Sequence, residues 1–399
     1  MKGTSNMNEP ILDSILDNDL YKFSMQQAVC QLYPKAYAKY EFINRGKTEF
    51  PEGFANALQN QILNMHNLSL SKGEKTFLQN KCYYLTPVYL DFLEGYMFDS
   101  SEIYIVQKGK ELKITIEGAW YKAILWEVPL MALICELYYK MTGAPYEVQN
   151  SVSESGGKSV FFKEFGAKVS EFGTRRRFSK KNQDIVFQTL LKNAPNNITG
   201  TSNLQLAMKY NSTPIGTQAH EWFMFHASKY GYRMANQISL GRWVDVYHGN
   251  LGIALSDTFT TNAFFDSFDT MYGKLFDGVR HDSGDPFEFT DKVVEHYKNI
   301  RVDASTKTIV YSDGINSMEM VKNLKKYADE KNIRCAFGIG TWLSNDTGNK
   351  PLNIVIKMVA AKMNKEDNWI PTVKLSDAAG KNTGDSEEVK LCKQTLGVN

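Results

Sequence analysis

The stretch Glu171–Ser179 reads EFGTRRRFS, a strand-like ending that passes through a glycine and a threonine into three consecutive arginines. An α/β fold places small residues followed by charge at the carboxyl end of a strand, where its ligand sites are assembled. Endings in polar or glycine residues recur along the chain. Between Lys168 and Trp342, short apolar runs end in TGTSN (Thr199–Asn203), PIGTQAHEW (Pro214–Trp222), GIALSDTF (Gly252–Phe259), GVRHDSGD (Gly278–Asp285), TIVYSDG (Thr308–Gly314) and CAFGIGT (Cys335–Thr341). Helix-like stretches usually follow them. Seven such tips, with no comparable clustering at strand starts, predict an α/β barrel over 146–351, because parallel strands bring all their carboxyl ends to one face. An open doubly wound sheet is the rival, but it concentrates ligand residues at one switch point.

The remaining sequence frames this unit. A chain of 399 residues with 43% hydrophobic content buries a full core. Its 46 basic and 44 acidic residues nearly cancel, to +2, so no long-range field points to nucleic acid or an anionic membrane surface. Any anion site is therefore local. Five widely spaced cysteines without a CxxC pair argue against a zinc knuckle or a disulfide framework and fit a reducing cytoplasm. The polar, acidic N-terminus lacks an apolar signal core, and no run approaches a membrane span. The most apolar window, Ala123–Tyr139, contains Glu127, Pro129 and Glu136 and reads as a buried helix.

Residues 1–145 read as an α/β sandwich domain. It opens with a helix from about Asp19 to Leu32, capped by Asn18 and ended by Pro34. Ile103 and Ile105, then Leu112, Ile114 and Ile116, alternate with polar residues around Lys108–Lys110, which predicts a hairpin. The Ser- and Gly-rich stretch Glu147–Lys158 marks a domain boundary. Beyond Pro351, LNIVIKMVA and TVKLSD read as strands in which 352–399 return to the first domain.

Among the tips, Arg175, Arg176 and Arg177 offer planar forks suited to phosphate or carboxylate, although an isolated RRR is more often a solvated helix start. Gly338, Gly340 and Thr341 form a glycine-rich turn able to close backbone N–H groups around a phosphate, or simply a tight turn. Asp313 suits ribose hydroxyls or a helix N-cap. Arg280 and Asp282 in GVRHDSGD have poor prospects as core. Asp282 and Asp257 suit ribose or magnesium-bound water. His220 is the sharpest candidate: a neutral imidazole can accept a phosphoryl group while Glu221 or another carboxylate orients the ring. His66, His226, His248 and His296 have no comparable setting, and His281 is ambiguous.

The ordered set FGTRRRFS, GTSN, GTQAHEW, LSDTF, RHDSGDP, YSD and FGIGT resembles the nicotinate phosphoribosyltransferase family of the bacterial type. The likeness extends to ILDNDLYKFSMQQAV (Ile15–Val29), LWEVPL near Trp126, PLNIVIK and VKLSD. It implies an irregular type II phosphoribosyltransferase barrel joined to an α/β sandwich. It also implies an ATP-dependent enzyme of the ligase class, with magnesium, that makes nicotinate mononucleotide from nicotinate and phosphoribosyl pyrophosphate in NAD salvage. By motif position, His220 matches the phosphorylated histidine, with Glu221 and Asp282 beside it. Tyr21, Phe172, Arg175, Ser202 and Thr217 match base-site positions. The base would stack between Phe172 and an aromatic such as Tyr21, and a Tyr21 supplied by a second subunit would require a homodimer. Arg280, Asp313, Gly338, Gly340 and Thr341 match ribose and phosphate positions, and Asp257 a magnesium position.

Ser202 stands where nicotinamide-using relatives carry an aspartate. A carboxylate there would oppose that of nicotinate by about 4 kcal/mol at roughly 4 Å and an effective dielectric near 20, whereas a serine can donate a hydrogen bond. Two places depart from the family pattern, Trp342 after Thr341 and AAGK at 378–381. The alternatives are a nicotinamide phosphoribosyltransferase, disfavoured by Ser202, and a non-catalytic metabolite sensor, which would have lost His220, Asp282 or the FGIGT glycines. A barrel glycosidase would leave RRR and GxGT unexplained.

Overall fold

Strand β1 (Tyr37–Asn44) is the spine of the first sheet in the computed structural model, which describes residues 9–378 and 382–398. The predicted hairpin forms as β2 (Ile103–Lys108) and β3 (Glu111–Ala119), closing at Lys108 opposite Glu111. Leu112, Ile114 and Ile116 turn into the core while Lys113 stays out, as a period of two requires. β3 pairs with one edge of β1.

The second sheet contains β4 (Val169–Glu171), β5 (Ile198–Thr201), β6 (Ile253–Leu255), β7 (Gly278–His281), β8 (Thr308–Tyr311) and β9 (Arg334–Ile339). All pairings are parallel, in the order β5-β4-β9-β8-β7-β6. Val169, Leu255, Val279, Ile309 and Phe337 are buried because helices cover the sheet, while Glu171, Arg280 and His281 bring polar groups to the strand ends. Six of the seven predicted tips follow these strands. The seventh, at Pro214, reduces to a single parallel bridge with Thr201. The backbone ladder therefore ends at β5 and β6 among the described residues, and side chains of 217–220 span the gap, with Thr217 on Arg280 and His220 on Thr258.

The chain then returns to the first sheet. β10 (Ile354–Lys362) pairs antiparallel with the free edge of β1, from Tyr37 opposite Lys362 to Asn44 opposite Ile354, and β11 (Ile370–Pro371) adds to β10. LNIVIKMVA is thus a strand, as expected. TVKLSD is not: after Thr372 bonds to Val359, the segment leaves the sheet, Leu375 N–H donates to Thr258 O, and Lys374 bridges Thr383. Of the AAGK departure, residues 379–381 lie outside the described residues, as do residues 1–8 of the polar N-terminus.

Helix α1 (Leu20–Leu32) is capped by Asp19 in position, not by Asn18. Asn18 instead donates to Leu125 O at 3.1 Å, and the Asp19 carboxylate makes no cap bond. The apolar window is a short 3-10 turn leading into helix α2 (Glu127–Thr142), which is buried on nearly every side and ends at left-handed Gly143. The Ser/Gly-rich stretch is helix α3 (Val148–Glu164). Ser151, Ser155 and Ser159 share its buried face at four-residue spacing, and Ser155 and Ser159 donate to the carbonyl four residues back, which satisfies them inside the helix. No described helix is long and apolar enough to cross a membrane, and all five cysteines are free.

Candidate active site

A cleft of about 370 Å³ lies over the carboxyl ends of the parallel strands. Tyr21, Phe172, Arg175, Ser202, Thr217, His220, Glu221, Arg280, Asp282, Asp313, Gly338, Gly340 and Thr341 all line it. Asp257 sits buried behind His220, with Oδ1 3.8 Å from the ring Nε2. Strand tips far apart in sequence thus converge on one space.

His220 is the first residue of helix α4 (His220–Tyr230). Its Nε2 lies 2.9 Å from Asp282 Oδ2 and its Nδ1 3.0 Å from Thr258 Oγ1. Burial lowers its pKa to about 4, Lys374 adds to the effect, and Asp257 and Asp282 oppose it only in part. The ring is therefore neutral at physiological pH. Burial pushes the Asp282 carboxyl up, but Arg280, the hydrogen bond from His220 and Lys374 outweigh this and hold it well below the usual range. An ionised carboxylate only accepts, so Nε2 carries the ring proton and Nδ1 keeps its lone pair, accepting from the Thr258 hydroxyl.

Glu221 does not orient this ring. Adjacent helical residues point about 100° apart, so His220 and Glu221 cannot share a direction. Glu221 Oε2 instead meets Lys22 Nζ at 2.9 Å. The orienting carboxylate is Asp282, with Ser312 donating to its other oxygen at 2.9 Å.

The arginine triplet divides its work. Arg177 is buried and forks onto Asp17 at 2.7 and 2.8 Å, holding the turn to the segment before α1. Arg175 and Arg176 line the cleft. Arg175 touches Glu127 Oε1 through Nη1 at 3.3 Å. Arg280 donates to Thr217 Oγ1 at 2.5 Å and sits 3.5 Å from Asp282.

The glycines of GIGT have a packing reason. A Cβ at Gly338 would lie 2.4 Å from the Phe172 ring, and one at Gly340 would lie 3.0 Å from Phe172 O. They let β9 approach β4 closely enough to seat Phe172 on the cleft wall. Trp342 also lines the cleft. Its carbonyl accepts from the buried Lys158 ammonium at 2.7 Å, which lies 4.9 Å from the indole centroid.

Ser202 donates its hydroxyl proton to Asp19 Oδ1 at 2.8 Å. The donor expected for the base is thus engaged with a buried carboxylate, and Asp19 itself lines the cleft. Tyr21 lines the cleft of its own chain.

Residues 16–135 match the N-terminal domain of the nicotinate phosphoribosyltransferase (NAPRTase) family, and residues 167–399 match the family's main profile. A nicotinate phosphoribosyltransferase of Chromohalobacter salexigens is 48% identical over 98% of this chain and 99% of its own. Another, from Desulforapulum autotrophicum, is 49% identical over 97% and 99%. The crystal structure of nicotinate phosphoribosyltransferase from Porphyromonas gingivalis superposes with a TM-score of 0.95 at 42% identity, covering 97% of this chain and 100% of that one.

The chain belongs to the nicotinate phosphoribosyltransferase family.

Within that family frame, the cleft also contains charged groups that sequence reasoning missed. Lys357 arrives on β10, and burial followed by Lys374 and Arg175 drives its ammonium down to about 8. Lys374 comes from TVKLSD and pairs with Asp257 at 3.1 Å. Glu127 and Asp19 line the cleft, and Lys22 joins Glu127 from behind. The motifs PLNIVIK, VKLSD, LWEVPL and ILDNDLYK contained all five, but apart from the apolar window around Glu127 nothing local distinguished them from solvated charges.

Proposed function

We propose that this chain forms nicotinate mononucleotide and pyrophosphate from nicotinate and phosphoribosyl pyrophosphate. ATP hydrolysis is coupled through phosphorylation of His220, in NAD salvage. The observation that carries the ATP half is the His220 ring itself: neutral, clamped at Nε2–H by Asp282 and with its Nδ1 lone pair toward a single hydroxyl. Once Thr258 rotates away, Nδ1 attacks the γ-phosphorus of ATP, the bond to the bridging oxygen breaks, and ADP leaves. Water later cleaves the N–P bond to release phosphate. The added charge, about −2, sits beside Arg280, Lys374 and Lys357, and favours the state that binds phosphoribosyl pyrophosphate.

In the main reaction the pyridine nitrogen attacks the anomeric carbon while the C–O bond to pyrophosphate breaks, the electron pair leaving with the phosphate. No covalent sugar intermediate is required. Arg280, Asp313, Gly340 and Thr341 lie where ribose and phosphates would be held, and catalysis consists of positioning and charge stabilisation. The residues suit magnesium as well. Asp257 Oδ1 is buried without a hydrogen-bond partner among the described residues, and it and Asp282 Oδ2 both face His220 Nε2, an oxygen-donor pair of the kind that holds the ion together with substrate phosphates. When bound there, magnesium would neutralise charge on the departing pyrophosphate.

For the base, the cationic edge of Arg175 selects a carboxylate, and Phe172 and Tyr21 line the same space. Ser202 contributes by being uncharged next to Asp19 rather than by donating to the base. The test is mononucleotide formation from phosphoribosyl pyrophosphate with nicotinate or nicotinamide, each with and without ATP. Preference for nicotinamide would overturn the base assignment, and no turnover of either would overturn the enzyme.

A further inference from the structure

Two buried charges in and behind the cleft have no part in this chemistry. Lys22 on α1 is fully buried, and its ammonium contacts Glu127 Oε2 at 2.6 Å and Glu221 Oε2 at 2.9 Å. Glu127 opens α2, and its other oxygen takes Arg175 Nη1 at 3.3 Å. The four groups form a line of alternating charge, Arg175–Glu127–Lys22–Glu221, ending beside His220.

A buried ammonium is costly unless paired, and one acid would neutralise it. Burial raises the Glu221 carboxyl against the pull of Lys22, so Glu127 is the stronger acid of the two, and its other oxygen is met by Arg175. Burial raises the Glu127 carboxyl, but Lys22 and then Arg175 more than reverse this, to about 2, so it is ionised. The amino end of α2 favours the same state. Arg175 is anchored at one corner only, and 41% of its side chain stays open to the cleft.

We propose that Glu127 is a positioning residue for base recognition. It holds one corner of Arg175 so that the free edge of the guanidinium faces the carboxylate of an anionic pyridine, and Lys22 fixes Glu127 against Glu221, the neighbour of His220. The inference rests on the reading of Arg175 as a base-site residue given above.

The experiment measures KM for nicotinate and for phosphoribosyl pyrophosphate separately in the full chain, for Glu127→Gln, Arg175→Lys and the double variant. Loss of one charge-assisted contact predicts a nicotinate KM about tenfold higher in Glu127→Gln, with the phosphoribosyl pyrophosphate KM within about twofold. In the Arg175→Lys background the same substitution changes the nicotinate KM by less than about twofold, because the group it acts through is gone. An unchanged nicotinate KM, a parallel rise in both constants, or full additivity in the double variant would overturn the proposal. If Glu127→Gln does not fold, Glu127→Asp serves: it keeps the charge near Lys22 but withdraws it by one methylene from Arg175, and a nicotinate KM that stays put again overturns the proposal. No turnover by the unsubstituted chain would overturn the functional reading itself, whereas normal turnover with unaltered KM values in the variants overturns only the role of Glu127.

Discussion

At His220 both ring nitrogens are occupied, Nε2 by Asp282 at 2.9 Å and Nδ1 by Thr258 at 3.0 Å, whereas Arg175 touches another side chain through one nitrogen at 3.3 Å. The histidine end is enclosed, with Asp257, Lys374 and Arg280 packed around a neutral ring. The arginine end is open to the cleft and keeps donors for a ligand. A nucleophile must be held in one tautomer before its partner arrives, while a recognition group must leave its own bonds unmade until the ligand completes them.

The sharpest break in this comparison is His220→Ala. It removes the only group here assigned to the phosphoryl group, so incubation with γ-labelled ATP should leave the protein unlabelled and the rate should lose its whole response to ATP. A variant that still labels would move the nucleophile elsewhere. Ser202→Asp attacks the other end, adding a second carboxylate beside Asp19. Turnover of nicotinate should fall by up to about three powers of ten at an effective dielectric near 20, with nicotinamide much less affected. Equal losses for both bases would show a structural fault. Arg175→Lys keeps the charge but loses the fork, and kcat/KM for nicotinate should drop about 10- to 100-fold. A loss under about threefold would mean that another cation meets the base carboxylate.

The smallest expected signal is an absence. The His220 ring, lowered from 6.5 to about 4, should not titrate between pH 8 and 5 in an NMR experiment that resolves histidine side chains. A midpoint near 6.5 would contradict the enclosed, neutral ring. Stability follows with a definite sign. The unfolded chain takes up a proton near pH 6.5 and the folded ring does not, so this contribution is complete above that pH and is lost as pH falls toward about 4. His226, buried between Tyr33 and Trp222 O, is lowered to about 3 and acts in the same direction. Thermal midpoints should therefore fall steadily through this window.

What the sequence made legible was chemistry concentrated at strand tips. EFGTRRR and RHDSGD placed small and charged residues together and FGIGT gathered small ones, and the structure brings all three to one cleft because parallel strands end on one face. Pairing across long separations was not legible. Asp282 is 62 residues from His220, so the carboxylate next door, Glu221, looked the better partner although helix geometry turns it away. Glu127 carried a usable signal, a lone acid near the start of an apolar window, since a charge buried there needs a partner. That partner was Lys22, 105 residues earlier, and no local pattern named it. Helix α3 was obscured by reading its serines as composition rather than as a four-residue period, and Asn18 by its place before a helix whose true first cap position is Asp19.

The most direct measurement is magnesium-dependent formation of nicotinate mononucleotide from phosphoribosyl pyrophosphate, followed with and without ATP in the unsubstituted chain and in His220→Ala. The account predicts nicotinate turnover that ATP stimulates in the first and not in the second. Equal stimulation in both, or no turnover of nicotinate at all, would contradict it.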